Sequence, residues 1–362
     1  MELNPKNRLN KSSKKKNLND LFKKAKIFIE SIKDSESVLL IHHKDVDGYC
    51  SGALFISALK KLGKNNGVEI VAATNDGLQN IMKDKKTKSY DKIVILDIDA
   101  PYLKKDYENF KGKILIIDHH TIRKNLDSEN LIYINPRIEN EERYWPASYV
   151  VYIFLCSIVD LKELEWVAVL GTVADLAFED CKEILGKWIT AESKDDLVKT
   201  EFWQVSKMLY SAIIIETSNV LDMLLKYKDL SELKSDQNLL YADKKFEKEY
   251  KSLKDGFWKN AEKINNVIFY EMDPPFKRMS SVLATDISLE NKDKVIIILE
   301  KRGDKFKISA RVQTGIPHLG KLMEKCCSLN GGGHRTAAGG AIKVSDLEKF
   351  KNCIISNTSH RN

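Results

Sequence analysis

Three short segments of this 362-residue chain set acids and imidazoles directly behind apolar runs. His42, His43, Asp45, Asp47 and Gly48 follow SVLLI, Asp97 and Asp99 end KIVILDID, and Asp118, His119 and His120 follow KILII. A further acid, Asp175, stands in GTVADLAF, an otherwise apolar context where an unpartnered carboxylate is costly to bury. Taken alone, Asp45 and Asp47 read as a helix N-cap at a turn that Gly48 permits. Together the segments say more, because carboxylates gathered without a counter-ion repel one another. A cation is implied. Carboxylates with a minority of imidazoles and no thiolate suit Mn²⁺ or Mg²⁺ better than a structural zinc. So many acids exceed the needs of one ion. They suit two, about 3.5 to 4 Å apart and bridged by one carboxylate, an arrangement that clamps both oxygens of a phosphoryl displacement.

The elements that must position these residues follow from hydrophobic periodicity. Over residues 37–133 the runs SVLLIHH, GVEIVAA, KIVILDID, KILIIDHH and LIYIN are short and rich in Ile, Val and Leu, as buried strands are. Between them lie segments with apolar residues at helical spacing, such as YCSGALFISALKKLG. This alternation predicts βαβ units and a parallel, doubly wound α/β sheet, in which ligands bind beyond the carboxyl ends of the strands. The acids and histidines stand at those ends. Residues 147–225 read as mainly helical, and residues 243–263 as a long, exposed connecting helix. From Val267 the strand pattern returns in VIFYEM, KVIIILEK and KFKISARV, then GGGHRTAAGGA precedes a last helix, giving a smaller C-terminal α/β domain. The expected division is a basic arm over 1–26, an N-terminal α/β domain over 27–190, a helical region and connector over 191–265, and a C-terminal α/β domain over 266–362.

Composition fits this organisation. Apolar residues at 43% and charged residues at 31% describe a globular chain. The longest nearly apolar run, residues 149–159, is shorter than the roughly 20 residues a bilayer span needs, so no transmembrane helix is expected. The lysine-rich N-terminus lacks an apolar signal region, and the expectation is a cytoplasmic chain. Residues 1–26 hold nine lysines and arginines against two acids, a surplus equal to the net charge of +7 of the whole chain. Such an arm is a solvated tail or a tether for nucleic acid, since lysines near phosphates release counter-ions. The six cysteines show no C-x-x-C pair and no regular spacing and read as reduced thiols.

In the C-terminal domain the glycine run lacks the spacing of a dinucleotide fingerprint. Consecutive glycines (Gly332, Gly333) let backbone N–H groups approach an anion, and His334 and Arg335 add donors beside them, which suggests a phosphate cradle rather than a turn packed on a helix. Arg311, on KFKISARV, is a second phosphate-binding candidate because a guanidinium grips phosphate with two parallel bonds. Tyr144, Trp145, Trp203 and Trp258 are scattered and read as core or interface residues.

The set HKDVDG, ILDID, DHH and VADLA, in this order, resembles the four motifs of the DHH phosphoesterase superfamily. ISARV followed by GGGHRTAAGG resembles its DHHA1 substrate-binding domain, so the likeness extends over most of residues 37–345. The resemblance implies His43 and Asp45 on a first metal, Asp97 bridging, and Asp47, His119 and Asp175 on a second. It implies that His120 faces the scissile phosphate, that Asp118 orients the neighbouring imidazoles, and that Arg311 and the GGGHR segment hold substrate. His42 has no counterpart in the pattern and is expected to serve strand packing or to support a ligand; Asp99 is expected to be structural. The implied activity is that of a RecJ-like exonuclease cutting single-stranded DNA or RNA from an end with two divalent ions, Mn²⁺ before Mg²⁺. The alternatives are an oligoribonuclease acting also on 3′-phosphoadenosine 5′-phosphate, a cyclic-dinucleotide phosphodiesterase, and a non-catalytic scaffold that binds a replication or repair protein. A homodimer is compatible with any of these, and no membrane partner is expected. Brevity sets the chain apart from a bacterial RecJ, which carries an additional oligonucleotide-binding domain, and residues 187–265 match no part of the pattern.

Overall fold

The computed structural model describes residues 17–99, 103–122, 124, 126, 128–216, 219–333 and 335–358. These fall into two compact units, one formed by the described residues up to 213 together with 219–240, the other by 214–216 together with those from 241 on. Residues 191–240 of the expected helical region therefore group mainly with the first unit.

The first unit is built on five parallel strands: β1 (Val38–His43), β2 (Val68–Ala73), β3 (Lys92–Leu96), β4 (Lys113–Ile117) and β5 (Leu131–Ile134), in spatial order β2-β1-β3-β4-β5. Every apolar run read as a strand over residues 37–133 is one. The three inner strands are apolar on both faces because both are covered. Leu39, Ile41, Ile93, Ile95, Ile114 and Ile116 point into one cluster with Leu78, Met82, Tyr107 and Phe110. The helices Val46–Lys61, Ala147–Cys156 and Glu165–Ala174 pack on one another, and Val46–Lys61 also meets β1 and β3. The strand order reverses between β1 and β3, and a crevice at the carboxyl ends of the strands opens at such a point.

The basic N-terminal segment is not a tail throughout. A helix, Leu18–Glu30, starts inside it, capped by Asn17 and burying Leu18, Leu21, Ala25, Phe28 and Ile29, because its apolar residues recur at helical spacing. Residues 1–16 of the expected arm lie outside the described residues.

The second unit carries a mixed six-stranded sheet in the order β10-β11-β9-β8-β7-β6, with β6 (Glu262–Ile264), β7 (Val267–Met272), β8 (Val295–Arg302), β9 (Lys305–Arg311), β10 (Asn330–Gly333) and β11 (Ala337–Lys343). Only β7 and β8 pair in parallel. The helix Met279–Glu290 packs on β8 and β9, and the helix Leu319–Cys326 on β10 and β11. The long helix expected near residues 243–263 is Gln237–Asn260.

The reading of all six cysteines as reduced thiols is corrected here. Cys326 and Cys353 form a disulfide between the helices Leu319–Cys326 and Leu347–Thr358, with Cα atoms 5.7 Å apart. Packing brings together positions 27 residues apart, which no local spacing announces. Cys50, Cys156, Cys181 and Cys327 are free.

Candidate metal centre

Each acid of the first unit is placed by an ordinary structural device. Asp45 is the N-cap of the Val46–Lys61 helix: its Oδ1 accepts the Gly48 N–H at 3.0 Å, and its Oδ2 lies 2.5 Å from His43 Nδ1. The N-cap reading of this segment and the ligand reading therefore describe one side chain with two oxygens. Gly48 is needed for close approach rather than for a turn, since a Cβ there would stand 2.3 Å from the His43 carbonyl oxygen. Asp47 accepts the N–H groups of Ala147 at 2.8 Å and Ser148 at 3.0 Å, and so caps the Ala147–Cys156 helix. A Cβ on Gly171 would meet the Ser148 hydroxyl at 2.3 Å and Asp47 Oδ1 at 2.8 Å, so the Glu165–Ala174 helix closes over this carboxylate only because residue 171 is glycine. Asp97 follows directly on β3 with φ 63°, and Leu176, just after Asp175, has φ 52°. Both are left-handed conformations unfavourable to side chains, held at the edge of the centre.

These devices bring distant residues together. One ligand atom each from His43, Asp45 and Asp97 lie within 4.8 Å of one another, and the same holds for Asp47, His119 and Asp175 and for Asp97, His119 and His120. Asp97 faces two ways: its Oδ2 lies 3.8 Å from His43 Nδ1 and its Oδ1 3.2 Å from His119 Nε2. His119 Nε2 is also 3.5 Å from Asp175 Oδ2.

The electrostatics fit a site for a divalent cation. Asp97 is only 2% exposed, and burial, then the charges of Asp45, Asp47, Asp175 and Asp118, raise its pKa well above the usual carboxylate range. Burial and the charge of Asp175 do the same to Asp47, and burial raises Asp175 against the pull of His119. Burial also works to raise Asp45, but His43 and the Gly48 N–H hold it well below the usual range. Imidazoles are the ion-pair partners of Asp45, Asp97, Asp118 and Asp175 among the described residues, and burial lowers the pKa of His119 itself. His119 Nδ1 is buried without a hydrogen-bond partner. Oxygen donors that repel one another, interleaved with imidazoles, are the donor set of a hard divalent cation.

Around these groups runs a supporting frame. Asp118 Oδ1 binds His120 Nδ1 at 2.7 Å. Burial pulls the two in opposite ways, yet their mutual attraction wins, bringing Asp118 to about 2 and His120 to about 9. The Tyr133 hydroxyl donates to Asp118 Oδ2 at 3.4 Å, Asn135 Nδ2 donates to the Tyr133 oxygen and to the His120 carbonyl, and Arg137 Nε donates to the His119 carbonyl. The Tyr144 hydroxyl donates to Asp175 Oδ2 at 3.2 Å. Sequence reasoning missed Tyr133, Asn135, Arg137 and Gly171 and set Tyr144 aside as a core or interface residue; the signal for the first three is that YINPR leaves β5 at the same sheet edge as the acids. His42 is a packing residue, 1% exposed, with its ring 4.5 Å from that of Tyr49 and Nδ1 on its neighbour's carbonyl. Burial lowers its pKa to about 4. Asp99 stands near enough to His120 for its charge to help raise that imidazole.

The family models agree with this geometry. Residues 37–177 match the DHH family, N-terminal domain, and residues 265–359 match the DHHA1 domain. The chain belongs to the DHH/DHHA1 phosphoesterase superfamily. In DHH terms, Asp118, His119 and His120 are the residues that name the family. No curated protein matches the chain significantly. Among solved structures, RecJ from Thermus thermophilus in complex with Mn²⁺ shares the fold with a TM-score of 0.71 at 14% identity, over 94% of this chain and 55% of that one. The chain thus spans about half the length of that relative. An exonuclease RecJ bound to manganese aligns with a TM-score of 0.70 at 13% identity, over 94% of this chain and 95% of that one. CDC45 from Entamoeba histolytica aligns with a TM-score of 0.61 at 10% identity, over 95% of this chain and 99% of that one.

In the DHHA1 domain the glycine run read as a phosphate cradle is strand β10, and two of its three glycines serve packing. A Cβ on Gly331 would stand 2.2 Å from the Met323 carbonyl oxygen of the Leu319–Cys326 helix, and one on Gly333, at φ +135°, would stand 2.6 Å from Ala338 Cα. Gly332 alone of the three has open space, its nearest neighbour being Glu324 Oε1 at 3.8 Å. His334 lies outside the described residues. Arg335 is exposed and follows the strand, with Nη1 3.5 Å from the Gly315 carbonyl. Arg311, at the end of β9, donates from Nε to the Thr285 hydroxyl at 3.0 Å and from Nη2 to the Ser281 hydroxyl at 2.8 Å.

Proposed function

We propose that this chain is a metal-dependent phosphodiesterase that releases nucleotides from an end of single-stranded DNA or RNA, as a RecJ-like exonuclease. The observation that carries the reading is the double aspect of Asp97, one oxygen toward His43 and the other toward His119. On this reading His43, Asp45 and Asp97 would hold one divalent ion, and Asp47, His119 and Asp175 would hold a second that Asp97 also touches. When bound, the pair supplies an activated water and neutralises the charge that builds on the phosphate oxygens. Manganese is the first choice, supported by the oxygen-rich donor set and by the likeness to manganese-bound RecJ.

The chain's own residues do the rest. Asp118 keeps His120 in its charged form, so that an N–H donor and a positive charge face the phosphate. Tyr133 and Asn135 hold that pair in place. In the DHHA1 domain Arg311, steadied by the hydroxyls of Ser281 and Thr285, presents its guanidinium charge to a phosphate, and Gly332, Gly333, His334 and Arg335 supply further donors. The backbone at Gly332 is the part of β10 that a substrate can approach most closely.

The test is hydrolysis of 5′- and 3′-labelled DNA and RNA of graded length with Mn²⁺, by the parent chain and by Asp45→Ala and His119→Ala. The reading expects the first product to be a mononucleotide and both variants to be inactive; cleavage unchanged in both variants overturns it. The same series separates polymers from short oligonucleotides and cyclic dinucleotides. Removing residues 1–16, rather than 1–26, tests the arm without stripping buried Leu18, Leu21 and Ala25. Weaker binding and a flatter salt dependence on long strands, with dinucleotide turnover spared, mark a tether. The likeness to CDC45 favours a second reading, a scaffold that binds a replication or repair protein without hydrolysis, and that reading requires the parent chain to be inactive on every substrate of the series.

A further inference from the structure

Tyr144 belongs to neither donor set, yet it touches both of the ligands that join Asp47 at the second ion. Its backbone is anchored first. The Tyr144 N–H donates to Asp180 Oδ2 at 2.8 Å, and the indole N–H of Trp145 donates to the Asp180 carbonyl at 2.9 Å. The Arg143 guanidinium lies 4.5 Å above the Trp145 ring. From this anchored stretch the Tyr144 side chain reaches into the centre. Its hydroxyl donates to Asp175 Oδ2 at 3.2 Å, and its ring centroid lies 5.5 Å from that of His119. Arg137 completes the frame, with its guanidinium carbon 5.8 Å from the Tyr144 ring and its Nε on the His119 carbonyl at 2.9 Å.

Asp175 and His119 need such support. Asp175 stands just past the last turn of the Glu165–Ala174 helix and is followed by Leu176 in a left-handed conformation, so the helix does not fix the carboxylate. The Tyr144 hydroxyl is the hydrogen-bond donor to that carboxylate among the described residues. The His119 ring has no partner on Nδ1, so the plane of the imidazole is set by the rings packed against it, His120 at 4.7 Å and Tyr144 at 5.5 Å between centroids. Groups that bind a ligand from behind commonly change metal affinity about 10- to 100-fold when removed.

We propose that Tyr144 is a positioning residue for the second ion: its hydroxyl aims Asp175, its ring fixes the plane of His119, and Asp180 anchors it. The inference rests on the two-ion reading above. It predicts a selective effect. Loss of the hydroxyl weakens the ion held by Asp47, His119 and Asp175 and spares the one held by His43, Asp45 and Asp97.

The experiment is calorimetric titration of the full metal-free chain with Mn²⁺ alone, comparing the parent with Tyr144→Phe, Asp180→Ala and Asp175→Ala. The parent is expected to take up two ions and Asp175→Ala one. Tyr144→Phe, which keeps the ring, is expected to take up two, one of them about 10-fold more weakly and the other with unchanged affinity. Asp180→Ala, which leaves the hydroxyl in place but frees its backbone, is expected to weaken the same ion. Raising Mn²⁺ should restore hydrolysis by Tyr144→Phe to the parent's rate. If Asp175→Ala loses an ion while Tyr144→Phe binds both as the parent does, or weakens both alike, the positioning role is wrong and the metal reading stands. If the parent takes up fewer than two ions, or Asp175→Ala changes nothing, the metal reading fails and the inference with it.

Discussion

The strand ends of the first sheet and the glycine-rich edge of the second both carry residue types suited to phosphate chemistry, but they hold them in opposite ways. At the first, carboxylates are buried beside one another at an energetic cost, and each is tied by a helix cap, a short ion pair or a tyrosine. At the second, Arg311 rests on two neutral hydroxyls, and the glycines are occupied mainly with letting a helix lie against a strand. The contrast teaches that charge in a costly place is a stronger functional signal than backbone freedom. A buried acid needs a reason, whereas a glycine has several cheap ones.

Substitutions can sharpen or break this comparison. The largest effect is expected at Asp97→Asn, where metal-dependent hydrolysis should fall about 1,000-fold, as several kcal/mol of charge stabilisation are withdrawn. The same change should stabilise the metal-free fold. Because burial and neighbouring acids raise the Asp97 pKa in the folded chain, its ionisation opposes folding above that raised value and costs nothing once pH falls below the unfolded one. In chelator, Asp97→Asn should therefore melt above the parent, and by more near pH 8 than at pH 5. A variant that is no more stable than the parent at either pH would contradict the account of stored repulsion.

Gly333→Ala should act oppositely, lowering the stability of the second unit by about 2 kcal/mol, since the new methyl meets the Ala338 backbone. Denaturant unfolding followed at Trp258 reads this, and an unaltered midpoint would show that β10 can shift. Arg311→Lys should leave the fold intact and raise KM about 10-fold, because a lysine cannot reproduce the paired bonds of the guanidinium. Equal KM values would remove Arg311 from the substrate. Smallest of all, Gly332→Ala should change stability by no more than about 0.5 kcal/mol. Any loss of turnover in that variant then reports on substrate approach rather than folding.

Much of this architecture was legible in the sequence because the strands of the first sheet are buried on both faces. Burial leaves continuous Ile, Val and Leu runs, and polar residues directly behind such runs can only be strand ends. That logic located His43, Asp45, Asp97, Asp118, His119 and His120. Asp175 was legible by cost, as an acid among apolar neighbours. Tyr144, Asn135 and Arg137 were not, since neutral or singly charged side chains that hold a ligand from behind have no fixed spacing and look like ordinary surface or core. Gly171 escaped for a related reason: the atom it makes room for, on Asp47, is 124 positions away in the chain. The glycine run was legible as special but not as a strand, because glycine carries no side chain from which period-two alternation could be read. The Cys326–Cys353 bond depends on how two helices meet, which no local pattern encodes.

Asp47 shows how closely architecture and chemistry are joined here. Both of its oxygens already terminate a helix through the amides of Ala147 and Ser148. A descendant of this chain that abandoned hydrolysis could discard Asp97 or Asp175 and gain stability from the relief of crowding. It could not discard Asp47 without leaving two amides stranded in the interior. The persistence of that one aspartate is thus a poor witness to activity, and a silent relative is better recognised by which of its companions have gone.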